Sequence, residues 1–185
     1  MDQGELSLKT ALVIGGASCV WDDLNCASRL GCEFDLIIVV NDIGIDWNNR
    51  IDAWCSYHSD LLQVWTEKRE RLKLPRAGEL WCGPVKPRHI KIPMQCLRTK
   101  GGSSGMLGAF IALEKKADKI VLCGIPLDPN MNHFNNKQHG KPWKDGKHYQ
   151  KHWRENLPAL QDKVKSFRGF TGKLLGAPTP DWIKS

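Results

Sequence analysis

The stretch Gly101-Gly102-Ser103-Ser104-Gly105 runs into Met-Leu-Gly-Ala-Phe-Ile-Ala-Leu and then, after a short polar break, into Lys119-Ile-Val-Leu-Cys-Gly124. It reads as a glycine-rich turn, a helix to about residue 117 capped by Ser103 or Ser104, and a buried strand over 119–124. Gly105, Gly108, Ala109 and Ala112 are small, so another backbone can approach this helix closely. Free N–H groups and the positive end of the dipole meet at a helix N-terminus, and glycine lets an anion reach them. Few architectures other than an α/β sheet accommodate such a turn–helix–strand unit, and many that do handle phosphates or nucleotides.

The rest of the chain extends the alternation. Ala11-Leu-Val-Ile14 is a short apolar run ending in Gly15-Gly16-Ala17-Ser18, a strand and a tight turn. Ser18 is placed to cap a helix over 19–31. Asp35 to Asn41 encloses an apolar run that suits a parallel strand covered on both faces. A weaker strand follows at 51–57, then a helix at 59–72 with Leu61, Leu62, Trp65 and Leu72 on one stripe. Tyr57-His58-Ser59-Asp60 reads either as a site cluster or as the cap of that helix through Ser59 or Asp60, with the cap favoured. Short strand-like pieces occur at 79–82 and 89–92. Residues 128–147 have no apolar period and predict a long mobile loop or lid, extending to about 150. A last helix is expected at 150–166, and the tail at 169–183 carries apolar anchors that pack back on the body. The expectation is a single Rossmann-like α/β domain over 1–185, a mostly parallel sheet flanked by helices with a basic lid in the C-terminal third.

In such sheets ligands sit beyond the carboxyl ends of the strands, at the point where strand order reverses. The segments Gly15–Ser18, Asn41–Asp42, Tyr57–Asp60 and Ile125–Asp128 all follow strand ends and are expected to converge with the Gly101–Gly105 turn. Neither glycine turn is a Walker A loop or a GxGxxG fingerprint.

The formal charge is +7, and residues 137–173 hold ten Lys/Arg against three Asp/Glu, an excess equal to that of the whole chain. Next to a phosphate-type turn, this basic segment predicts an anionic ligand. The seven cysteines include no CxxC pair, which favours reduced thiols over a disulfide framework or structural zinc. With a polar N-terminus unlike a signal peptide and no apolar run of membrane-spanning length, this predicts a cytoplasmic protein without a membrane segment.

His133, His139, His148 and His152 crowd the same region. His148 and His152 are four apart, on one face of a helix, a spacing that suits a metal pair or a general base. The absence of HExxH and of a nearby cysteine speaks against a structural metal. Trp143 and Trp153 flank this segment as candidates for stacking on a base or sugar.

Taken together, Val13-Ile-Gly-Gly-Ala-Ser18, Val40-Asn41, Gly102-Ser-Ser-Gly105 and Ala117-Asp-Lys-Ile-Val-Leu-Cys-Gly124 resemble a group of phage-encoded Rossmann-like proteins of undefined activity. That group is similar in turn to bacterial sialyltransferases and to 6-hydroxymethylpterin diphosphokinase-like proteins. The resemblance implies a CMP-type nucleotide held by Gly15, Gly16, Ser18, Asn41, Gly102, Ser103, Ser104 and Gly105. It places His148-Tyr149-Gln-Lys-His152 at a His-Tyr-x-x-His segment, with His152 as the base that deprotonates an acceptor hydroxyl and His148 beside it. It also implies paired tyrosines at the leaving phosphate. In their place this sequence has Asp128, His133 and Phe134, with Lys147 and Tyr149 as further phosphate or lid contacts.

The leading expectation is therefore a glycosyltransferase-like enzyme that moves a group from a nucleotide-activated donor, such as a nucleotide-sugar, to a glycan or nucleic-acid acceptor. The alternatives are a non-catalytic nucleotide or nucleic-acid binding module, and a metal-assisted phosphohydrolase or pyrophosphoryl transferase using Asp128, His133 and His139.

Overall fold

The computed structural model describes residues 8–99, 101–135 and 146–185. Seven strands form one sheet: β1 (Thr10–Ile14), β2 (Leu36–Val40), β3 (Ala53–Ser56), β4 (Glu79–Cys82), β5 (Gln95–Cys96), β6 (Lys119–Cys123) and β7 (Val164–Ser166). The order is β5-β4-β3-β2-β1-β6-β7, and every pairing is parallel. The expected mostly parallel sheet is thus wholly parallel. The chain steps outward from β1 to β5, then returns to lay β6 on the other side of β1. Strand order reverses between β1 and β6, so their carboxyl ends border a crevice.

Alternation of side chains across the central strands explains why their sequences are continuously apolar. Ala11, Val13, Ile38, Val40, Ala53, Cys55, Ile120 and Leu122 belong to one buried cluster. Their neighbours Leu12, Ile14, Val39, Trp54, Val121 and Cys123 belong to the other. A strand with both faces covered has no polar side to show. The first face is covered by α4 (Ser104–Glu114), eight of whose eleven residues are buried. The second is covered by α1 (Val20–Ala27), the short α2 (Ile43–Asp46), α3 (Ser59–Arg71) and, at the C-terminus, α8 (Pro180–Lys184), which contribute Val20, Ala27, Ile43, Leu62 and Ile183.

Several boundaries differ from the sequence expectation. Helix α1 ends at Ala27 and is followed by a 3₁₀ turn at Ser28–Leu30, where Gly31 at φ 73° stops it. Its N-cap is Cys19 without a side-chain cap bond, and Ser18 is exposed, giving its N–H to the Asn132 carbonyl instead. The strand expected at 89–92 does not form; the edge strand is β5, three residues further on. The helix expected at 150–166 is three elements: α5 (Gly146–Glu155), α6 (Leu157–Leu160) and β7. Pro158 lacks the N–H that would continue α5, and Val164 is wholly buried as the sheet's last strand. The tail does pack back, as α7 (Gly169–Leu175) and α8. The lid expected at 128–150 is described only in part, because residues 136–145 lie outside the described residues.

The apolar stripe read on α3 is also corrected. Leu61 is 42% exposed and Leu72 53%, whereas Ser59, Leu62 and Arg69 face inward. Arg69 is buried because its guanidinium closes a loop rather than an ion pair. It donates to the carbonyls of Pro75 at 2.6 Å, Gly44 at 2.6 Å, Asn49 at 3.0 Å and Trp47. Those carbonyls belong to the short α2, the turn after it and the exit of α3, where no ladder satisfies them. Trp54 lies wholly buried beside them and gives its indole N–H to the Asn41 carbonyl at 2.7 Å.

The seven cysteines are all free thiols. Burial pushes Cys19 up to about 12, reinforced by the Asp23 carboxylate. Burial also pushes Cys82 up to about 12, helped by the Cys96 thiol at 3.2 Å. Cys55 and Cys123 are held above the ordinary value for the same first reason.

Replacing Arg69 by alanine strands several carbonyls together and should lower the unfolding free energy by about 3 kcal/mol or more. Urea unfolding checks this, with Arg69→Lys recovering only part of the loss, because an ammonium cannot span four carbonyls in one plane. A second expectation concerns alkaline pH. The folded chain keeps thiol protons that the unfolded chain releases above the ordinary value of 9.0. That stability is fully present below this pH and declines as pH rises toward 12, so the urea midpoint should fall from about pH 9 upward.

Candidate functional site

The carboxyl ends of β1, β2, β3 and β6 open onto one cleft of about 890 Å³. Gly15, Gly16 and Ala17 enter from β1, Asn41 and Asp42 from β2, Tyr57 and His58 from β3, and Gly124 to Asp128 from β6. The turn Gly102–Gly105 contributes the wall at the N-terminus of α4, and Met131–His133 and Tyr149 complete the rim. The sequence-expected residues Gly15, Gly16, Asn41, Gly102, Ser103, Ser104, Gly105, Asp128, His133 and Tyr149 are therefore brought together. Ser18, Lys147, His148 and His152 do not line the cleft, and His139 and Trp143 lie outside the described residues.

The two glycine turns are glycine for steric reasons that meet at a single side chain. A Cβ on Gly15 would lie 2.5 Å from Ile125 Cγ1, and one on Gly105 would lie 2.7 Å from Ile125 Cγ2. Ile125 follows β6, so this residue sets the distance between the β1 turn and the start of α4. Gly102 sits at φ +115°, a conformation side-chain-bearing residues rarely adopt, with its Cβ direction filled by Met106.

Ser103 is the true N-cap of α4, its hydroxyl accepting from the Met106 N–H at 3.4 Å. The Trp153 indole N–H donates to the same oxygen at 3.4 Å, which ties α5 to this turn and gives that tryptophan a core position, away from stacking. Ser104 instead reaches across to β3, accepting the Tyr57 N–H at 3.2 Å. The backbone N–H groups of Gly102, Ser103, Ser104 and Gly105 have no partner among the described residues. Four donors at the positive end of a buried helix point to anion chemistry.

The polar groups facing them come mostly from strand ends. Asn41 adopts φ 58°, which asparagine tolerates, and its side-chain oxygen accepts from Ser56 Oγ at 2.8 Å. Asp42 Oδ1 stands 3.0 Å from His133 Nε2, and His133 Nδ1 stands 2.8 Å from Asn135 Oδ1. The segment around His133 is clamped on the first glycine turn: Ala17 bridges His133, Phe134 N–H donates to the Gly16 carbonyl at 3.0 Å, and Ser18 N–H to Asn132 at 2.8 Å. Asp128 turns back to accept the Asn130 N–H at 2.9 Å. Among the described residues, the charged or titratable groups lining the cleft are Asp42, Asp128, His58, His133 and the two phenols.

Beneath the crevice, Asp23 on α1 is almost wholly buried. Its Oδ2 accepts the Gly124 N–H at 2.9 Å and the Cys19 thiol at 3.4 Å. Arg168 Nε lies 2.6 Å from Oδ1, a close charge pair out of line for a hydrogen bond. The pair joins the exits of β6 and β7 to α1. The sequence offered no sign of it, since Asp23 sits among ordinary polar residues and Arg168 lies far along the chain.

The segment Tyr57–Asp60, expected to converge on the crevice, does bring Tyr57 and His58 into its lining. The favoured cap reading of 57–60 is corrected: the N-cap of α3 is His58, without a side-chain cap bond, and the Ser56 hydroxyl accepts the His58 N–H at 2.9 Å. The chain has two tyrosines and both line the cleft, from β3 and from α5. The Tyr57 hydroxyl meets Thr99 Oγ1. Burial raises the Tyr57 phenol above its ordinary value, the Thr99 bond opposes that, and the nearby Tyr149 adds to the rise. A neutral phenol remains a donor at physiological pH. The signal available in the sequence was position: Tyr57 directly follows a buried strand whose neighbours end at the crevice.

His148 and His152 stand side by side on α5, with Nε2 to Nε2 at 3.1 Å, and His152 Nδ1 lies 3.2 Å from Glu155 Oε2. The His152 ring packs on Gly101, and neither residue lines the cleft. Among the described residues no group of three or more His, Cys, Asp or Glu is placed to hold a metal ion. No described helix is long and apolar enough to cross a membrane.

No protein-family model matches the chain, and no curated protein matches its sequence. Among solved structures it is similar to a mammalian sialyltransferase in complex with Gal-beta-1-3GalNAc-ortho-nitrophenol, at 13% identity and a TM-score of 0.46 over 88% of this chain and 70% of that one. A likeness this weak carries no residue's role across.

The Gly102 reading has a direct check. Gly102→Ala places a side chain in the disfavoured backbone region and should lower the unfolding free energy by roughly 1–2 kcal/mol. The change is read from the urea midpoint. Ser103→Ala removes the cap and also strands the buried Trp153 indole N–H, and about 2 kcal/mol is expected there.

Proposed function

We propose that the cleft binds a nucleotide-activated donor and that the protein is a glycosyltransferase-like enzyme. The observation that carries this reading is the row of N–H groups from Gly102 to Gly105 at the head of α4, without partners among the described residues, in a crevice at the strand-order reversal. The cleft volume of about 890 Å³ is within the range of nucleotide-sized sites. Asn41 and Asp42 face the space a ribose or base would occupy, with a CMP-type donor as the first choice.

In the transfer itself, the acceptor oxygen attacks the carbon bonded to the donor phosphate as a base removes its hydroxyl proton. The carbon–oxygen bond to phosphate breaks, and the nucleotide leaves with that electron pair. The helix N–H groups and the phenol hydroxyls of Tyr57 and Tyr149 would stabilise the charge that develops on the leaving phosphate. Two histidines compete for the base. His152 is the one the His-Tyr-x-x-His segment suggests, oriented by Glu155. His133 has the specific advantage of lining the cleft, with Asp42 against its Nε2.

Thermal-shift measurements with CMP and the other nucleoside mono- and diphosphates test the binding. One nucleotide at about a hundred times its dissociation constant should stabilise the fold by about 2.7 kcal/mol. If no nucleotide moves the melting temperature, the reading fails. Binding that collapses with rising salt, and that prefers oligonucleotides to mononucleotides, points to a nucleic-acid module instead. Turnover then separates the bases. The variant among His133→Ala and His152→Ala that keeps nucleotide binding but loses transfer by a factor of about 100 or more identifies the proton acceptor.

A further inference from the structure

The pair His148–His152 lies outside the cleft and nothing in the donor-binding reading needs both rings. We infer that these two side chains form a chelating site for an exchangeable divalent transition cation of the zinc class, backed by Glu155. Three observations point there. The two Nε2 atoms approach to 3.1 Å. Two nitrogens bound to one tetrahedral zinc at about 2.0–2.1 Å each stand roughly 3.3 Å apart, so only a few tenths of an ångström separate the present geometry from a chelate.

The second observation is the state of the rings. His152 Nδ1 faces the Glu155 carboxylate at 3.2 Å. That contact favours the tautomer with the proton on Nδ1 and leaves the Nε2 lone pair directed at His148. A carboxylate behind a ligating imidazole is the arrangement that orients metal-binding histidines and makes them more basic. Glu155 also keeps Lys151 close through its other oxygen, at 3.7 Å. This leaves that nearby ammonium neutralised beside the incoming cation.

The third is rigidity on one side and freedom on the other. The His152 side chain is only 18% exposed and its ring rests on Gly101, which fixes one ligand. His148 is exposed, with its ring edge-on to both Tyr149 and His152. It can turn the few degrees needed to bring its lone pair to the same point. A contact between two Nε2 atoms at this distance requires one of them to carry a proton; as the cation binds, the His148 ring exchanges that proton through solvent for one on Nδ1 and ligates through its freed Nε2 lone pair. Solvent supplies the remaining coordination positions, so the site is exchangeable and adds no structural metal to the fold.

Calorimetric titration of the whole chain with Zn²⁺ tests the proposal. One equivalent should bind saturably, and excess Mg²⁺ should not displace it, because imidazole is a poor ligand for that harder cation. His148→Gln and His152→Gln should each abolish the binding, and Glu155→Gln should weaken it by about 10- to 100-fold. Circular dichroism of each variant confirms folding, which exposed His148 in particular should tolerate. Absence of saturable binding overturns the proposal. So does binding that persists unchanged in both histidine variants, which would assign the cation to the thiols of Cys82 and Cys96. Neither result depends on nucleotide binding in the cleft.

Discussion

The structure depends on how closely α4 lies against the middle of the sheet. The helix touches β1, β2, β3 and β6. At its centre a Cβ on Gly108 would come within 2.7 Å of Val13 and 3.1 Å of Val40. At its head Gly105 meets Ile125 in the same way. Close contact of backbone with sheet excludes water along the helix and brings its N-terminus to the carboxyl ends of the central strands. The helix dipole and its unpaired donors then face a crevice whose walls shield them less than bulk water would, which strengthens their attraction for an anion.

Two buried charged groups hold the loops around that arrangement. Arg69 satisfies the carbonyls of the irregular chain between β2 and β3 and after α3, where no ladder reaches. Asp23 gathers the Gly124 N–H, the Cys19 thiol and Arg168 at the β6 side of the crevice. One is a cation among carbonyls and the other an anion among donors. Each costs desolvation and each removes a larger penalty from unpaired backbone or from a lone buried charge. Asp23 holds a residue of the cleft itself, Gly124, whereas the partners of Arg69 lie outside the cleft lining.

The α/β class, the central strands and the Gly101–Gly105 turn were legible in the sequence because they rest on local rules. Leu-Ile-Ile-Val-Val over 36–40 can be buried on both faces and little else, and two glycines before two serines and an apolar helix leave few conformations. Gly15, Gly16, Asn41 and Ser103 to Gly105 were readable as cleft residues for the same reason: strand ends in a parallel sheet lie on one edge. The segment 150–166 misled, because a polar, basic stretch has the same helix signal whether or not its end adds an edge strand. The cap reading of 57–60 misled because serine and aspartate suit a cap equally well when the hydroxyl that matters is that of Ser56.

By itself, the sequence determined which segments become strands and helices and which of their ends carry glycine, serine and asparagine, since these follow from side-chain volume, branching and backbone freedom. Tertiary structure alone decided which of the polar groups meet. Tyr57 and Tyr149 are 92 positions apart and share a cleft only because β3 and α5 approach the same edge. Asp42 faces His133 because the segment after β6 folds back over the first glycine turn. His148 and His152 do not line the cleft although Tyr149 on the same helix does, because the His152 ring packs against Gly101. Contacts between residues so far apart are set by the packing of whole elements, and no local propensity encodes that.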